Sequence, residues 1–186
     1  MNSKQIIIIS FAGLVLNILG NEINTIFRLP LFLDTIGTIF VATLLGPWFG
    51  ALIGFLASLL VGVIDNPVTI PFGLVNAVIG LITGFAVLQW GYKRIWVPLV
   101  LTVILAIVAP IIGTVIAVYL FGGATGGGID QFFFILRQSG NEIFSSAFLV
   151  RVPANFFDKL LSCLLVFTAV YFLPQKWKGN AQKEGK

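Results

Sequence analysis

Residues Leu29–Gly62 read LPLFLDTIGTIFVATLLGPWFGALIGFLASLLVG, a run whose one charged residue is Asp34. A small residue recurs at every fourth position of its second half: Gly46, Gly50, Gly54, Ser58 and Gly62. Residues four apart lie on nearly one face of a helix, so this ladder predicts a smooth face against which another backbone packs closely. Gly46-Pro47 divides the run, because proline favours the first turn of a new helix. The stretch predicts a helical hairpin inside a bilayer.

The composition of the 186-residue chain is that of a membrane protein. Hydrophobic residues make up 58% of it and charged residues 10%, whereas soluble domains carry roughly 25% charged residues. Several uncharged runs exceed the ~18 residues from which a membrane span is suspected. We therefore expect an all-α, polytopic protein with a single transmembrane domain, residues 1–186.

The missing residue types exclude several chemistries. The chain has no histidine and no G-x-x-x-x-G-K-[ST] motif, which argues against histidine-based catalysis, the common metal sites and ATP hydrolysis by that route. The excess of 11 Lys and Arg over 7 Asp and Glu lies at the chain ends and in one loop, not in a nucleic-acid-binding patch. We expect no catalytic residues, no metal, no cofactor and no nucleic-acid partner.

Hydropathy and breaker residues predict six membrane spans in one bundle, at residues 5–27, 31–46, 47–64, 68–90, 98–121 and 143–173. The first span resembles a signal peptide but lacks a small-x-small cleavage site before Asn21, so we expect it to be retained. The second span must include Asp34 to be long enough. Residues 122–141 are predicted to form a flexible loop, and residues 174–186 a basic cytoplasmic tail.

The basic residues set the orientation of the spans. Lys4, the Lys93-Arg94 loop and the lysine-rich tail all fall on one side of a six-span bundle. Cytoplasmic loops are enriched in Lys and Arg, so both termini are predicted to be cytoplasmic. The protein is expected to be multi-pass in the cell membrane, in contact with lipid.

The sixth span carries a polar stripe at helical spacing, formed by Arg151, Asn155, Asp158 and Ser162 and flanked by Lys159. A charge at membrane depth costs roughly 2.5–3.5 kcal/mol on insertion scales and usually faces a bundle interior or an aqueous cavity. One interpretation is internal neutralisation, in which these charges pair within the bundle. The other is a polar pocket open to the outside, favoured because charge pairing does not require the amides of Asn155 and Asn76. In such a pocket Arg151 can bind a carboxylate or phosphate through two parallel hydrogen bonds.

Three further features carry two interpretations each. Asp34 either contacts a ligand or pairs with Arg28 or Arg151. Phe132–Phe134 form either an aromatic lid hinged on the preceding glycines or an interfacial belt. The glycine ladder serves either a partner protein or packing of the third span inside its own bundle.

Three segments together resemble the S components of energy-coupling factor (ECF) transporters: residues 29–64, NPVTIPFGLVNAVIGLITG at 66–84 and RVPANFFDKLLSCLL at 151–165. The resemblance covers about residues 5–174. Its most specific parts are the acid-bearing second span leading into LLGPWFGALIG, and the P-x-N-x-x-D-K pattern that begins at Pro153. S components have six helices with both ends inside, in agreement with the topology predicted above.

The resemblance implies a small membrane subunit that captures a vitamin or related nutrient outside the cell. It then associates with an ECF transmembrane coupling protein and two ATPase subunits, and we expect a bacterial source and a small heteroaromatic substrate. The implied substrate-binding residues, with Asp34 added, are Asn76, Asn141, Glu142, Arg151, Asn155, Asp158 and Lys159. The first span lacks the alanine-x-x-x-alanine patch common in the family, so the coupling protein is expected to meet Ala12, Gly13, Gly46, Gly50 and Gly54.

Two other functions remain open from the residues. One is a non-transporting membrane sensor or interaction module whose glycine ladder binds a signalling partner. The other is an ion-coupled secondary carrier in which Asp34 and Asp158 titrate or bind sodium. Co-purification with ATPase subunits favours the importer, co-purification with a kinase or regulator favours the sensor, and uptake that survives ATPase deletion favours the carrier.

Overall fold

The computed structural model describes residues 1–182, and all regular secondary structure in that range is helical, which confirms the all-α prediction. The seven α-helices are α1 Ser3–Phe27, α2 Ile36–Leu45, α3 Pro47–Ile64, α4 Thr69–Trp90, α5 Trp96–Phe121, α6 Asp130–Gln138 and α7 Ile143–Phe172. Two short 3-10 helices follow, Gln175–Trp177 and Gly179–Gln182. The most extensive helix contacts join α3 to α4 and α5 to α7.

Five of these helices, α1, α3, α4, α5 and α7, are long and apolar enough to cross a membrane. The second predicted span is different, because α2 has only 10 residues. At ~1.5 Å per residue it extends over about 15 Å, half of a hydrocarbon core of roughly 30 Å. The bundle therefore combines five long apolar helices with one short one.

The second predicted span begins later than expected, at Ile36 instead of residue 31. Residues 31–35 are not helical, and Leu33 has a positive φ of 57°, a left-handed conformation that is uncommon outside glycine. The amides of Phe32 and Leu33 donate to the carboxylate of Asp158 in α7 instead of to helix carbonyls. Within the predicted loop at 122–141, residues Asp130–Gln138 form the nine-residue helix α6.

The small-residue ladder packs inside the chain. Helical Gly54 faces the Asn76 carbonyl of α4, where an added Cβ would lie 2.6 Å from the oxygen. Gly50 lies against Ala42 of α2 and against Gly80 of α4. Such contacts are closer than any side chain permits, so the ladder is a helix-packing device within the bundle.

The same packing covers most of the residues that are expected to meet a coupling protein. Gly50 and Gly54 are covered as described, Gly13 faces Gly37 and Val41 of the same chain, and buried Gly46 has the Asn180 amide beside it. Of the residues expected at the coupling surface, Ala12 is half-buried and the four glycines are buried.

A buried asparagine caps α2 from a neighbouring helix. Thr35 precedes α2 but gives no side-chain cap. Instead the side-chain oxygen of Asn17 in α1 accepts from the amides of Gly37 at 2.7 Å and Thr38 at 3.1 Å. The Asn17 amide nitrogen donates to the Thr38 hydroxyl at 2.8 Å. The first amides of a helix lack intrahelical partners, so Asn17 satisfies two donors that would otherwise be orphaned in an apolar bundle.

The basic segments gather at one end of the bundle. The Gln5 side chain donates to the Lys176 carbonyl at 3.1 Å, and Gly179 lies against Leu44 and Met1. Tyr92 and Lys93 of the α4–α5 connection share a small cavity with Lys178. The part of the predicted tail at 175–182 therefore packs under the bundle, while residues 183–186 lie outside the described range.

We predict that Gly80→Ala destabilises the protein by about 1–3 kcal/mol, the usual cost of overpacking. Its Cβ would meet the backbone of Gly50 and Ala51, which cannot rotate away. The matched control is Gly113→Ala in α5, where the nearest atom, a Phe72 ring carbon, lies 3.7 Å from the added Cβ. Thermal unfolding in detergent should show a lower Tm for the first variant and an equal or higher Tm for the second. A Gly80 variant as stable as the wild type would contradict the packing described here.

We predict that Asn17→Leu lowers stability by roughly 1–3 kcal/mol, because it leaves two buried amide donors of α2 without acceptors. Asn21→Leu, one turn further along α1, is the control, since no described hydrogen bond involves the Asn21 side chain. The measurement is again thermal unfolding, with hydrogen exchange of the peptide covering residues 36–40. Equal Tm values for the two variants would show that the cap contributes nothing.

Candidate binding site

A cavity of about 340 Å³ opens at the end of the bundle opposite the basic segments. Its wall is built from the C-terminal half of α1, the α1–α2 connection, α3, α4, α5, the glycine-rich loop after α5 and the first half of α7. A volume of this size is at the small end of the ~300–1,000 Å³ typical of ligand pockets. The wall can therefore enclose a small molecule.

Asp34 and Asn76 form one polar part of the wall. The Asn76 amide nitrogen donates to the Asp34 carboxylate and to the Ser58 hydroxyl, both at 2.9 Å. Ser58 is a rung of the small-residue ladder and donates onward to the Gly54 carbonyl at 3.3 Å. Asn76 is buried in α4. The series of hydrogen bonds from the Gly54 carbonyl through the Ser58 hydroxyl therefore fixes the Asn76 amide, which holds the Asp34 carboxylate at the cavity.

A buried ion pair in α7 fixes the α1–α2 connection. Asp158, fully buried, accepts from the Leu33 amide at 2.7 Å and the Phe32 amide at 3.3 Å, and its other oxygen pairs with Lys159. Lys159 also donates to the Thr35 hydroxyl at 2.8 Å. The pair thus holds the α1–α2 connection at residues 32, 33 and 35. This connection contributes Leu31, Phe32 and Asp34 to the wall.

Arg151 and Asn155 form a second polar part of the wall. Arg151 is 2% exposed and donates to the carbonyls of Ala147 and Gly123, each at 3.2 Å. The Asn155 amide donates back to the Arg151 carbonyl at 2.9 Å, as asparagine does when it lies one turn along a helix. No carboxylate within the described residues is close enough to pair with the Arg151 guanidinium.

The glycine-rich loop closes the cavity beside Arg151. Gly122, Gly123 and Gly126 have φ values of 65°, 100° and 84°, which a side chain rarely adopts, so the glycines allow the reversal of the chain. The Asp130 carboxylate accepts from the amides of Thr125 at 2.8 Å and Gly126 at 2.6 Å. Residues 125–128 then line the cavity in a fixed loop.

The aromatic run after this loop does not reach the cavity. Phe132 and Phe134 point outward, each 52% exposed, whereas Phe133 is buried against Gly123. None of the three lines the cavity wall. In this structure their placement corresponds to the belt interpretation more closely than to the lid.

The structure brings five of the eight predicted substrate-binding residues into one wall: Asp34, Asn76, Arg151, Asn155 and Lys159. Asp158 lies behind the wall and acts through the backbone of residues 32–33. Asn141 and Glu142 do not line the cavity. Asn141 donates to the Leu136 carbonyl at the end of α6, and exposed Glu142 precedes α7 as its N-cap residue.

Sequence reasoning missed a polar stripe on α1. Asn17, Asn21, Asn24 and Arg28 step by four, three and four residues and all line the cavity. This is the spacing that singled out the stripe of α7, so the same rule applied to the first span finds it. The Asn24 side-chain oxygen is buried and has no hydrogen-bond partner among the described residues.

We predict that Asp158→Asn lowers stability by about 3 kcal/mol or more, because it leaves buried Lys159 without a counter-ion. The variant should also raise hydrogen exchange in the peptide covering residues 29–35, since those amides lose their charged acceptor, while α3 and α4 stay protected. The control is Ser162→Ala, one turn along the same helix, whose buried hydroxyl has no described partner. Exchange in residues 29–35 that matches the wild type would contradict the role given to Asp158.

Comparison with known proteins gives one family match. The model of the substrate-specific component of ECF transporters matches residues 4–170, which include every element from α1 through most of α7. The comparison with curated proteins gives no match, and the comparison with solved structures gives none either. The chain therefore belongs to the family of substrate-specific components of ECF transporters, which bind the transported substrate and are not themselves enzymes.

Proposed function

We propose that this protein captures a vitamin or related small heteroaromatic nutrient outside the cell and delivers it inward with a coupling protein and two ATPase subunits. Membership of the family supports a small-molecule substrate and association with such subunits. The observation that carries the proposal is the cavity, which combines a volume of about 340 Å³ with five converging polar side chains. A pocket with a few convergent polar groups is the usual form of a small-molecule site.

The apolar part of the wall supports a flat, partly aromatic substrate. Phe32 and Phe72 line the cavity together with Val75, Ile79 and Ala109. Phe72 is held in place by stacking on Phe121, with ring centroids 6.3 Å apart and an interplanar angle of 15°. Aromatic rings prefer offset-stacked or edge-on contact with other rings, and the amide and carboxylate groups beside them can hydrogen-bond the edge of a heterocycle.

The direction of capture follows from the charges at the two ends. The basic segments lie at the end away from the cavity, so the positive-inside rule favours a cavity that faces outward in the cell membrane. The surface of the bundle carries large exposed side chains such as Phe11, Val63 and Tyr119, which lipid would cover. In this orientation the coupling protein and ATPases approach the basic end.

We predict that protein purified without added substrate releases a small molecule on denaturation, which mass spectrometry identifies. Asn155→Leu should abolish its retention, because the larger apolar side chain fills the wall and removes an amide. Ser162→Ala is the control for the same helix and should retain the molecule. If no small molecule is released and none from a vitamin panel binds, the capture function is wrong.

Delivery is tested in cells that also express the coupling protein and ATPases. Uptake of the identified molecule should stop when the P-loop lysines of the ATPases are replaced, while binding to the purified protein stays unchanged. Uptake that continues with inactive ATPases would contradict the importer and favour an ion-coupled carrier.

A further inference from the structure

Arg151 is the feature of the cavity that the fold itself does not account for. Its guanidinium is buried at the wall, and its two described hydrogen bonds go to backbone carbonyls. A guanidinium has five N–H donors in a rigid fork that matches a carboxylate or phosphate. A buried charge without a paired counter-ion is costly, so its presence at a ligand cavity calls for a partner.

We propose that the substrate carries an acidic group that binds Arg151 and a hydrogen-bond donor that binds Asp34. The acidic group is a carboxylate or a phosphate, and this inference rests on the proposed function. The anion completes the pairing of the guanidinium inside the cavity. The donor completes the hydrogen bonding of the carboxylate. The substrate is therefore acidic at one position and donates hydrogen bonds at another.

The other cations of the wall do not take this role. Lys159 is already paired with Asp158 and bonded to Thr35, so its charge is neutralised within the bundle. Arg28 is exposed at the end of α1, where water solvates it and salt screens it. Arg151 alone among the three combines burial, access to the cavity and the absence of a described ion pair.

Asp130 does not replace the substrate as the partner of Arg151. The negative charge of Asp130 attracts the Arg151 guanidinium electrostatically, but the two side chains form no ion pair within 4 Å. One Asp130 oxygen is engaged by the amides of Thr125 and Gly126, and the other is buried without a described partner. Its charge lowers the cost of burying Arg151 while leaving guanidinium donors available.

Asp34 provides the second recognition point. Among the described residues Asn76 is the one side chain that donates to its carboxylate, and Asp34 lies at the cavity wall. The buried, unpartnered side-chain oxygen of Asn24 lines the same cavity. These acceptors favour a hydroxyl, amine or ring N–H on the substrate.

The test uses matched pairs of probes that differ in the acidic group: nicotinate and nicotinamide, pantothenate and panthenol, riboflavin 5′-phosphate and riboflavin, pyridoxal phosphate and pyridoxal. Calorimetric titration of ligand-free protein measures Kd for each. We expect the acidic member of at least one pair to bind about 100-fold more tightly than its neutral counterpart, the scale of charge-assisted hydrogen bonds in a buried site. Whether that pair is a carboxylate or a phosphate pair identifies the anion.

The variants separate recognition from folding. Arg151→Gln should bring both members of the pair to the same weak Kd, and Arg151→Lys should recover part of the preference because it keeps the charge but loses the fork. Ligand-free Arg151→Gln should melt no lower than the wild type, since it removes a costly buried charge. Arg137→Gln, the same substitution on exposed α6 and outside the cavity, should leave the Kd of every probe unchanged.

The outcomes distinguish this inference from the proposed function. Equal binding of acidic and neutral members, or an undiminished preference in Arg151→Gln, would overturn the anion inference and leave nutrient capture standing. A lower Tm in Arg151→Gln with the preference unchanged would assign Arg151 to the fold instead. If no probe binds and purified protein releases no small molecule, both proposals fail.

Discussion

The buried pair of Asp158 and Lys159 is the interaction on which the site depends. Two adjacent residues of α7 hold the backbone of Phe32 and Leu33 and the side chain of Thr35, three points on the connection between α1 and α2. Leu33 takes up a left-handed conformation there, which costs free energy for a residue other than glycine. The charged acceptor offsets that cost, because a carboxylate makes stronger hydrogen bonds than a neutral group.

The bonds from Asp158 and Lys159 hold residues 32–35 outside α2, and the connection that they form supplies part of the cavity wall. If residues 31–35 continued α2, their amides would bond within the helix, and Asp158 would be buried without those donors. Instead the connection turns inward and places Asp34 beside Asn76. One ion pair in the last long helix therefore positions a carboxylate at the cavity wall that a distant part of the chain supplies.

The polar groups of the bundle divide into two sets with different purposes. Asn17, Asp158 and Lys159 are engaged with partners in the chain and fix helix ends and connections. Arg151, Asn24 and Asp34 retain hydrogen-bonding capacity and line the cavity. Buried polar groups that lack hydrogen-bond partners weaken a fold unless a ligand or water binds them. This cost is the physical reason for proposing that the second set binds a ligand.

Much of the helical framework could be predicted from the sequence. Long apolar runs and the break at Gly46-Pro47 mark helices whose observed ends, apart from the start of α2, lie within a few residues of the predicted ones. The stripe of α7 led to Arg151 and Asn155 at the cavity, because helical spacing depends only on local geometry.

The rest depended on contacts between distant segments. The late start of α2 follows from bonds between residues 125 and 126 positions apart, for which no local pattern exists. The ladder of Gly50 and Gly54 predicted close packing, but the pattern is the same whether the opposing backbone is Asn76 of the same chain or a partner protein. The stripe of α1 has the same helical spacing as that of α7, but three of its four members are uncharged and so give a weaker signal in an apolar span.

The central claim is that the cavity between the α1–α2 connection and α7 is the substrate site. The most direct measurement is an experimental structure of the protein in lipid nanodiscs with the small molecule it retains during purification. We expect density for that molecule between Asp34 and Arg151, with its acidic group on the guanidinium. Density at another position, with the cavity empty, would contradict it.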